Sequence, residues 1–316
     1  MKNTRIVFMG TPEFSVPALK TLAKEPGFDV LLAVTQPDRP KGRGKKLSPS
    51  AVKQAARDLG IDVYQPEKIN TPEGIDRLSG LEPDYFVVVA FGQILSRQVL
   101  DIPKTYPINI HASLLPKYRG AAPIQAAVLN MDEQTGVSTM VMAEKMDAGD
   151  ILLMETTPVK TEDTASTLHD RLSQMGADLI IKTIHGIEQK KIIPVPQDHS
   201  KASYVSMLKK SDGRINWHSS AKAICAHINA MTPWPGAFTE LCGKRLKIFK
   251  AVVSSTPMQT SSPPGTVVRS SDKGLFVAAG DDGVVQVLEL MGNSGKRLDV
   301  AAFLCGNKID LPACFQ

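Results

Sequence analysis

The first 111 residues alternate short apolar runs with stretches of helical spacing, and this alternation restricts the possible folds more than any other feature. Arg5–Met9 is an apolar run closed by Gly10, and Phe14, Ala18, Leu19 and Leu22 recur at helical intervals over Phe14–Ala23. Val30–Thr35 reads as the next strand. A helix over Ser50–Leu59, a short strand at Asp62–Tyr64 and a helix near Thr71–Leu78 follow, and then the strands Tyr85–Ala90 and Ile108–His111. Such alternation packs as parallel strands with crossover helices on both faces, so the expected class is α/β, a Rossmann-like, doubly wound, mostly parallel sheet. Gly10-Thr11-Pro12-Glu13 lacks the Gly-x-Gly-x-x-Gly pattern, and Glu13 would repel a pyrophosphate, which argues against a dinucleotide there.

The pattern continues with a helix over Pro123–Leu129, strands at Gly136–Met142 and Ile151–Glu155, and a long helix over Thr164–Ile184. Thr161-Glu162-Asp163 opens that helix with acidic residues suited to its positive end. Pro194-Val195-Pro196 then starts an extended stretch. A first domain over 1–189, a linker over 190–208 and a second domain over 209–316 are expected. The second domain differs in kind. After a helix over Ser220–Ala230 come short strands at Phe238–Leu241, Leu246–Ala251, Gly265–Arg269, Leu275–Ala278 and Val284–Leu290, with Gly280-Asp281-Asp282-Gly283 as a hairpin turn. Five short strands with glycine punctuation predict a small, OB-like β-barrel.

Charge separates the two halves. Residues 1–189 hold 21 Lys and Arg against 23 Asp and Glu, whereas residues 190–316 hold 16 against 9. A basic second half fits either a polyanionic partner or a merely solvated surface. Cys225, Cys242, Cys305 and Cys314 form no Cys-x-x-Cys and have no His at ligand spacing, so reduced thiols and no metal are expected. Lys2–Gly10 contains only Ile6-Val7-Phe8-Met9 as an apolar run, too short for a secretory leader, and Tyr85–Phe91 is too short for a membrane span. A cytoplasmic protein with no membrane association is expected, and a monomer.

Two polar, chemically able side chains interrupt the buried strand before Ser113-Leu114-Leu115-Pro116. Asn109 and His111 lie two residues apart and therefore on one face, while Ile108 and Ile110 face a core. With Asp147 they form an amide, an imidazole and a carboxylate without a serine or cysteine nucleophile, a set suited to attack on a carbonyl by an external nucleophile. The amide and a protonated imidazole can donate to a developing oxyanion, and the carboxylate can hold the imidazolium or accept the proton of an attacking amine. The same residues also fit a hydrogen-bonded core pair.

Asn-Ile-His-Ala-Ser-Leu-Leu-Pro-Lys-Tyr-Arg-Gly, together with Asp147 in its Asp-Ala-Gly-Asp setting, resembles the signature of the folate-dependent formyltransferases. The resemblance runs along essentially the whole chain. It includes Phe8-Met9-Gly10-Thr11-Pro12-Glu13-Phe14, Thr35-Gln36-Pro37-Asp38-Arg39-Pro40 with Gly42-Arg43-Gly44, Gly120-Ala121-Ala122-Pro123-Ile124-Gln125 and Pro233-Trp234-Pro235-Gly236. It implies catalysis by Asn109, His111 and Asp147, with 10-formyltetrahydrofolate as a consumed formyl donor and the α-amine of methionine on initiator tRNA as acceptor. Val88, Val89, Ala90, Phe91 and Gly92, with Ser113, Leu114, Leu115 and Pro116, would flank the folate. Their other reading is a core strand and a turn.

The resemblance further implies that the basic loop carrying Arg39, Lys41, Arg43, Lys45 and Lys46 grips the acceptor end of the tRNA, although a solvated loop has the same composition. Lys209, Lys210, Arg214, Lys244, Arg245 and Lys247 of the barrel would hold the tRNA body. Trp234 is expected to pack on the barrel as an aromatic corner rather than to stack on a base. Other functions remain open on the residues alone: formyl transfer to a small amine such as glycinamide ribonucleotide or an amino-sugar nucleotide, hydrolysis of the formyl folate by the same residues, and RNA binding without catalysis.

Overall fold

The computed structural model of the chain describes residues 3–41, 46–255, 261–292, 295–307, 309 and 311–316, apart from the side chains at 41 and 46. Two compact units emerge: residues 1–123, 135–157 and 169–205 form one, and residues 124–134, 158–168 and 206–316 the other. Among the described residues no helix is long and apolar enough to cross a membrane.

In chain order the strands and helices through the long helix are β1 (Thr4–Gly10), α1 (Val16–Lys24), β2 (Phe28–Val34), β3 (Arg39–Lys41), β4 (Lys46–Ser48), α2 (Ala51–Asp58), β5 (Val63–Tyr64), α3 (Pro72–Ser79), β6 (Tyr85–Val89), α4 (Arg97–Leu100), β7 (Tyr106–His111), β8 (Arg119–Gly120), α5 (Pro123–Leu129), β9 (Gln134–Val141), β10 (Ile151–Pro158) and α6 (Ala165–Glu188). The principal sheet runs β10-β9-β7-β6-β1-β2-β5. The pairs from β7 through β5 are parallel and β7–β9 is antiparallel. The expected mostly parallel, doubly wound sheet is therefore present. β1, β6 and the later residues of β7 are buried on both faces, which is why their sequences read as continuous apolar runs rather than alternating ones.

Because β2 and β5 lie on one side of β1 while β6 and β7 lie on the other, the strand order reverses between β1 and β6. Open sheets present ligand sites at the carboxyl ends of strands beside such a reversal. Side chains stitch this edge: Ser15 Oγ donates to Val89 O at 2.6 Å, and Thr11 Oγ1 and Gln36 Nε2 both donate to Phe91 O, at 2.8 and 3.3 Å. α6 covers β7 and β9. A Cβ on Gly176 would meet Ile110 Cγ2 at 2.8 Å, so the missing side chain lets the helix lie flush on β7. The Thr139 and Thr183 hydroxyls, 2.8 Å apart, satisfy each other in that interface.

The segments after α6 are β11 (Tyr204–Val205), α7 (Ala221–Ala230), β12 (Ala237–Leu241), β13 (Lys244–Val253), β14 (Thr266–Ser271), β15 (Gly274–Ala278), β16 (Val284–Met291), β17 (Leu298–Asp299), α8 (Val300–Gly306) and β18 (Ala313–Cys314). An antiparallel sheet in the order β12-β13-β16-β15-β14-β18 curls until Glu240 and Gln316 exchange backbone hydrogen bonds of 3.1 and 2.9 Å, closing the barrel. Register shifts within β13, at Ile248/Lys250 and Lys250/Ala251, supply the bend that closure needs. Leu246, Ile248, Val267, Val277, Val285 and Val287 fill the interior, and Trp217 donates to Thr239 Oγ1 at 3.0 Å beneath the closure.

Trp234 is 52% exposed, and the aromatic pair inside the barrel is Trp217 with Phe315, their ring centroids 5.4 Å apart.

His227, on α7, makes a pH prediction for the second unit. Its Nε2 is buried without a hydrogen-bond partner among the described residues, and burial lowers its pKa against the opposing pull of the Gly213 backbone and Asp212. Folding therefore favours the neutral ring. Stability from this group is present above the unfolded pKa of about 6.5 and is lost as pH falls below it, because the unfolded chain binds the proton more tightly. Urea unfolding at pH 5.5 and 7.5 checks this: His227→Gln is expected to narrow the gap between the two curves.

Candidate functional site

β7 lies between β6 and β9, which fixes what surrounds its polar residues. Asn109 is paired with Val88 on one side and Met140 on the other, and His111 faces Ser138. Both side chains are nearly buried, at 9% and 7% exposure, on the face opposite Ile108 and Ile110. The His111 Nε2 lies 2.9 Å from the carbonyl of Tyr118. A carbonyl only accepts, so Nε2 carries the proton and Nδ1 is the nitrogen turned elsewhere. That nitrogen faces Asp147 Oδ2 at 3.7 Å.

Asp147 reaches this position from the turn between β9 and β10. It stands in the left-handed region at φ +50°, and its Oδ2 accepts from the Gly120 N–H at 2.8 Å. Aspartate tolerates that backbone better than most residues, although any non-glycine residue there stores conformational energy. Tyr118 at φ +59° and Ala90 at φ +47° are likewise left-handed, so three loops around the end of the sheet have strained backbones. The three residues singled out from sequence thus converge: Asn109 and His111 through strand periodicity, Asp147 through a turn.

The residues expected to flank a folate are distributed less simply. Val88, Val89 and Phe91 are buried, and Ala90 and Gly92 are exposed in the turn after β6. Ser113 and Leu115 are buried, and Leu115 N donates to Ser138 Oγ at 3.1 Å. None of these residues lines the large cavity of this unit. That cavity, of about 940 Å³, is walled by Leu100, Pro103, Pro107, Met142, Ala143 and Met146 on its apolar side, and it reaches Arg119, Lys145 and Ala148 beside Asp147.

Of the basic hairpin β3–β4, Arg39 is exposed and paired with Ser48. Arg43 and Lys45 lie outside the described residues, as do the side chains of Lys41 and Lys46. The start of the hairpin is anchored by Asp38, whose carboxyl is held below its ordinary pKa by the hydrogen bond from Lys53 at 2.6 Å and by Gln65. In the barrel, Arg245 and Lys247 share the outer face of β13, where the Arg245 guanidinium lies 3.4 Å above the Phe238 ring. Arg214 bridges to Phe238, and Lys209 and Lys210 lead into it. Arg214, Arg245 and Lys247 therefore gather around Phe238 of β12, while Lys244 opens β13 opposite Leu241, on the other parity of the strand. Among the described residues, no group of three or more His, Cys, Asp or Glu is placed to hold a metal.

Sequence reasoning missed Arg119 and Gln197. Arg119 is 2% exposed, and Gln197, from the stretch read as a linker, is 6% exposed. A buried arginine is invisible to charge patterning, which assumes cations are solvated; Gln197 carried no signal at all.

A doubly wound sheet with an amide, an imidazole and a carboxylate at the end of β7, joined to a closed barrel, is the architecture of a formyl transfer enzyme. The chain belongs to the formyl transferase family: the formyl transferase model matches residues 4–184, and the formyl transferase C-terminal domain model matches residues 207–308. Methionyl-tRNA formyltransferase of Citrifermentans bemidjiense is 46% identical over 98% of this chain and 95% of its own length. The methionyl-tRNA formyltransferase of Clostridium novyi is 45% identical over 99% of this chain and 100% of its own. Among solved structures, an N-formyltransferase from Helicobacter canadensis, in complex with folinic acid and dTDP-3-aminofucose, shares the fold with a TM-score of 0.68 at 20% identity. The match covers 91% of this chain and 99% of that one.

Proposed function

We propose that this chain transfers the formyl group of 10-formyltetrahydrofolate to the α-amino group of methionine carried on initiator tRNA. The observation that carries the reading is the convergence of Asn109, His111 and Asp147 at one sheet end, in a chain that is similar over nearly its whole length to methionyl-tRNA formyltransferases. The amine nitrogen bonds to the formyl carbon, the bond from that carbon to the folate nitrogen breaks, and the folate nitrogen leaves with a proton. The geometry divides the work. His111 Nε2–H is engaged by Tyr118 O, so the Asn109 carboxamide is the natural donor to the oxyanion, worth roughly 2.7–4 kcal/mol. Asp147 and the facing Nδ1 of His111 form the acceptor for the proton the amine gives up.

Residues 88–92 and 113–116 are the folate contacts carried over from the family signature. The cavity with Leu100, Pro107, Met142 and Met146 on its apolar wall and charged groups on the other offers a seat for a heterocycle with polar edges within reach of the same aspartate turn. Arg39, Lys41, Arg43, Lys45 and Lys46 grip the acceptor end, and Lys209, Lys210, Arg214, Lys244, Arg245 and Lys247 hold the tRNA body through phosphates. The gathering of Arg214, Arg245 and Lys247 about Phe238 supports that use.

The deciding experiment offers initiator methionyl-tRNA, elongator methionyl-tRNA and glycinamide ribonucleotide as acceptors. Formylation of the initiator alone is expected, with tRNA binding that weakens steeply as salt rises, because each neutralised phosphate releases counterions. Transfer to the small amine instead, or binding indifferent to salt, would overturn the tRNA assignment.

A further inference from the structure

Arg119 is a buried guanidinium for which the described residues supply neutral partners only. Its Nη2 donates to Gln197 Oε1 at 2.6 Å and to His199 Nδ1 at 2.8 Å, its Nε to Gln197 Oε1 at 3.2 Å and its Nη1 to Tyr204 Oη at 3.1 Å. All three partners come from the segment after α6. Burying a cation is costly unless its donors are met, so this segment is bound to Arg119 strongly and in one geometry.

The same segment then reaches the aspartate turn. Gln197 Nε2 donates to Asp147 O at 2.9 Å and to Gly149 O at 2.6 Å, so one carboxamide is saturated between Arg119 and the two carbonyls. Further along, Ser203 Oγ accepts from Tyr118 N at 2.9 Å, Ser203 O accepts from Arg119 N at 2.8 Å, and β11 pairs with β8 in parallel. Residues 197–205 thus hold both contacts that orient the site. Tyr118, whose carbonyl accepts from His111 Nε2–H, and Gly120, whose N–H donates to the Asp147 carboxylate, are fixed at one end, and the backbone of Asp147 at the other.

We infer that residues 197–205 form a strap that sets the catalytic geometry, with Gln197 as the positioning residue for Asp147. The inference rests on the proposed role of Asp147 in formyl transfer. Gln197 touches no substrate; it holds a left-handed turn that would otherwise relax, and with it the direction of the Asp147 carboxylate. Displacements of about 1 Å in a catalytic group cost about 10²-fold in rate.

The test measures kcat and both KM values for full-length Gln197→Ala and Gln197→Glu, with Asp147→Asn alongside, and follows the ring 15N resonances of His111. Gln197→Glu keeps an acceptor for Arg119 but puts an anion against two carbonyls, so it separates anchoring of the strap from positioning of Asp147. Both Gln197 variants are expected to lose about 10²-fold in kcat with KM changed less than threefold, and to shift the His111 resonances while those of His169 stay in place. A kcat within threefold of the parent in Gln197→Glu, or loss in step with the fraction unfolded, would overturn the strap. If Asp147→Asn retains the full rate, it is the catalytic reading of Asp147 that fails; loss in Asp147→Asn without loss in the Gln197 variants removes the strap alone.

Discussion

Asp147→Asn is expected to lower the single-turnover rate of formyl transfer by about 10²–10⁴-fold while leaving thermal unfolding within a few degrees of the parent. The substitution is chosen for what it preserves. Asparagine tolerates the left-handed backbone at φ +50°, and its carboxamide oxygen still accepts from Gly120 N–H. The backbone carbonyl remains for Gln197. What is lost is the charge facing His111 Nδ1, and with it the group that takes the proton from the attacking amine. His111→Ala should fall by a comparable factor, and the double substitution by little more than either alone, because residues that act on one proton are not additive. Folate binding, measured by equilibrium titration, should change little. A rate within threefold of the parent in Asp147→Asn would show that the carboxylate is structural.

Gly120→Ala is expected to destabilise the first unit strongly. Two independent reasons converge on it. Its φ of +111° lies where L side chains are strained, at about 1–3 kcal/mol, and a Cβ would stand 2.2 Å from Val205 O, well inside contact distance. The obstacle is backbone, so relief requires β8 and β11 to part. Gly60→Ala is the natural control: its φ is +71° but nothing lies within 4 Å of the added carbon, so it carries about 1 kcal/mol of backbone strain alone. Denaturant unfolding of the two variants, read on the transition of the first unit, should place Gly120→Ala clearly below Gly60→Ala. Activity should fall as well, since the Gly120 N–H is the hydrogen-bond partner of Asp147. Equal stabilities would mean that the β8–β11 pair yields without cost.

The sheet and the barrel were legible because their signals are local. Apolar runs such as Tyr85–Val89 and the helical spacing of α1 are set by burial and periodicity within one element, and Gly280–Gly283 marks its hairpin by turn chemistry. Short pieces escaped. The hairpin β3–β4, the one-turn α4 and the two-residue strands β8 and β11 are too brief for any period to show. They exist because tertiary partners complete their hydrogen bonds.

The sequence by itself determined the class of fold, the placing of Asn109 and His111 on one face of β7, and the basic second half, because each depends on side-chain order along a single segment. Tertiary structure alone decided that Asp147 meets His111 through a left-handed turn, that Arg119 is buried against neutral partners, and that Gln197 ties the two together. Those contacts span 36, 78 and 50 positions of sequence, and hydrogen bonds at such separations depend on where the completed sheet brings chain segments together, which no local pattern records.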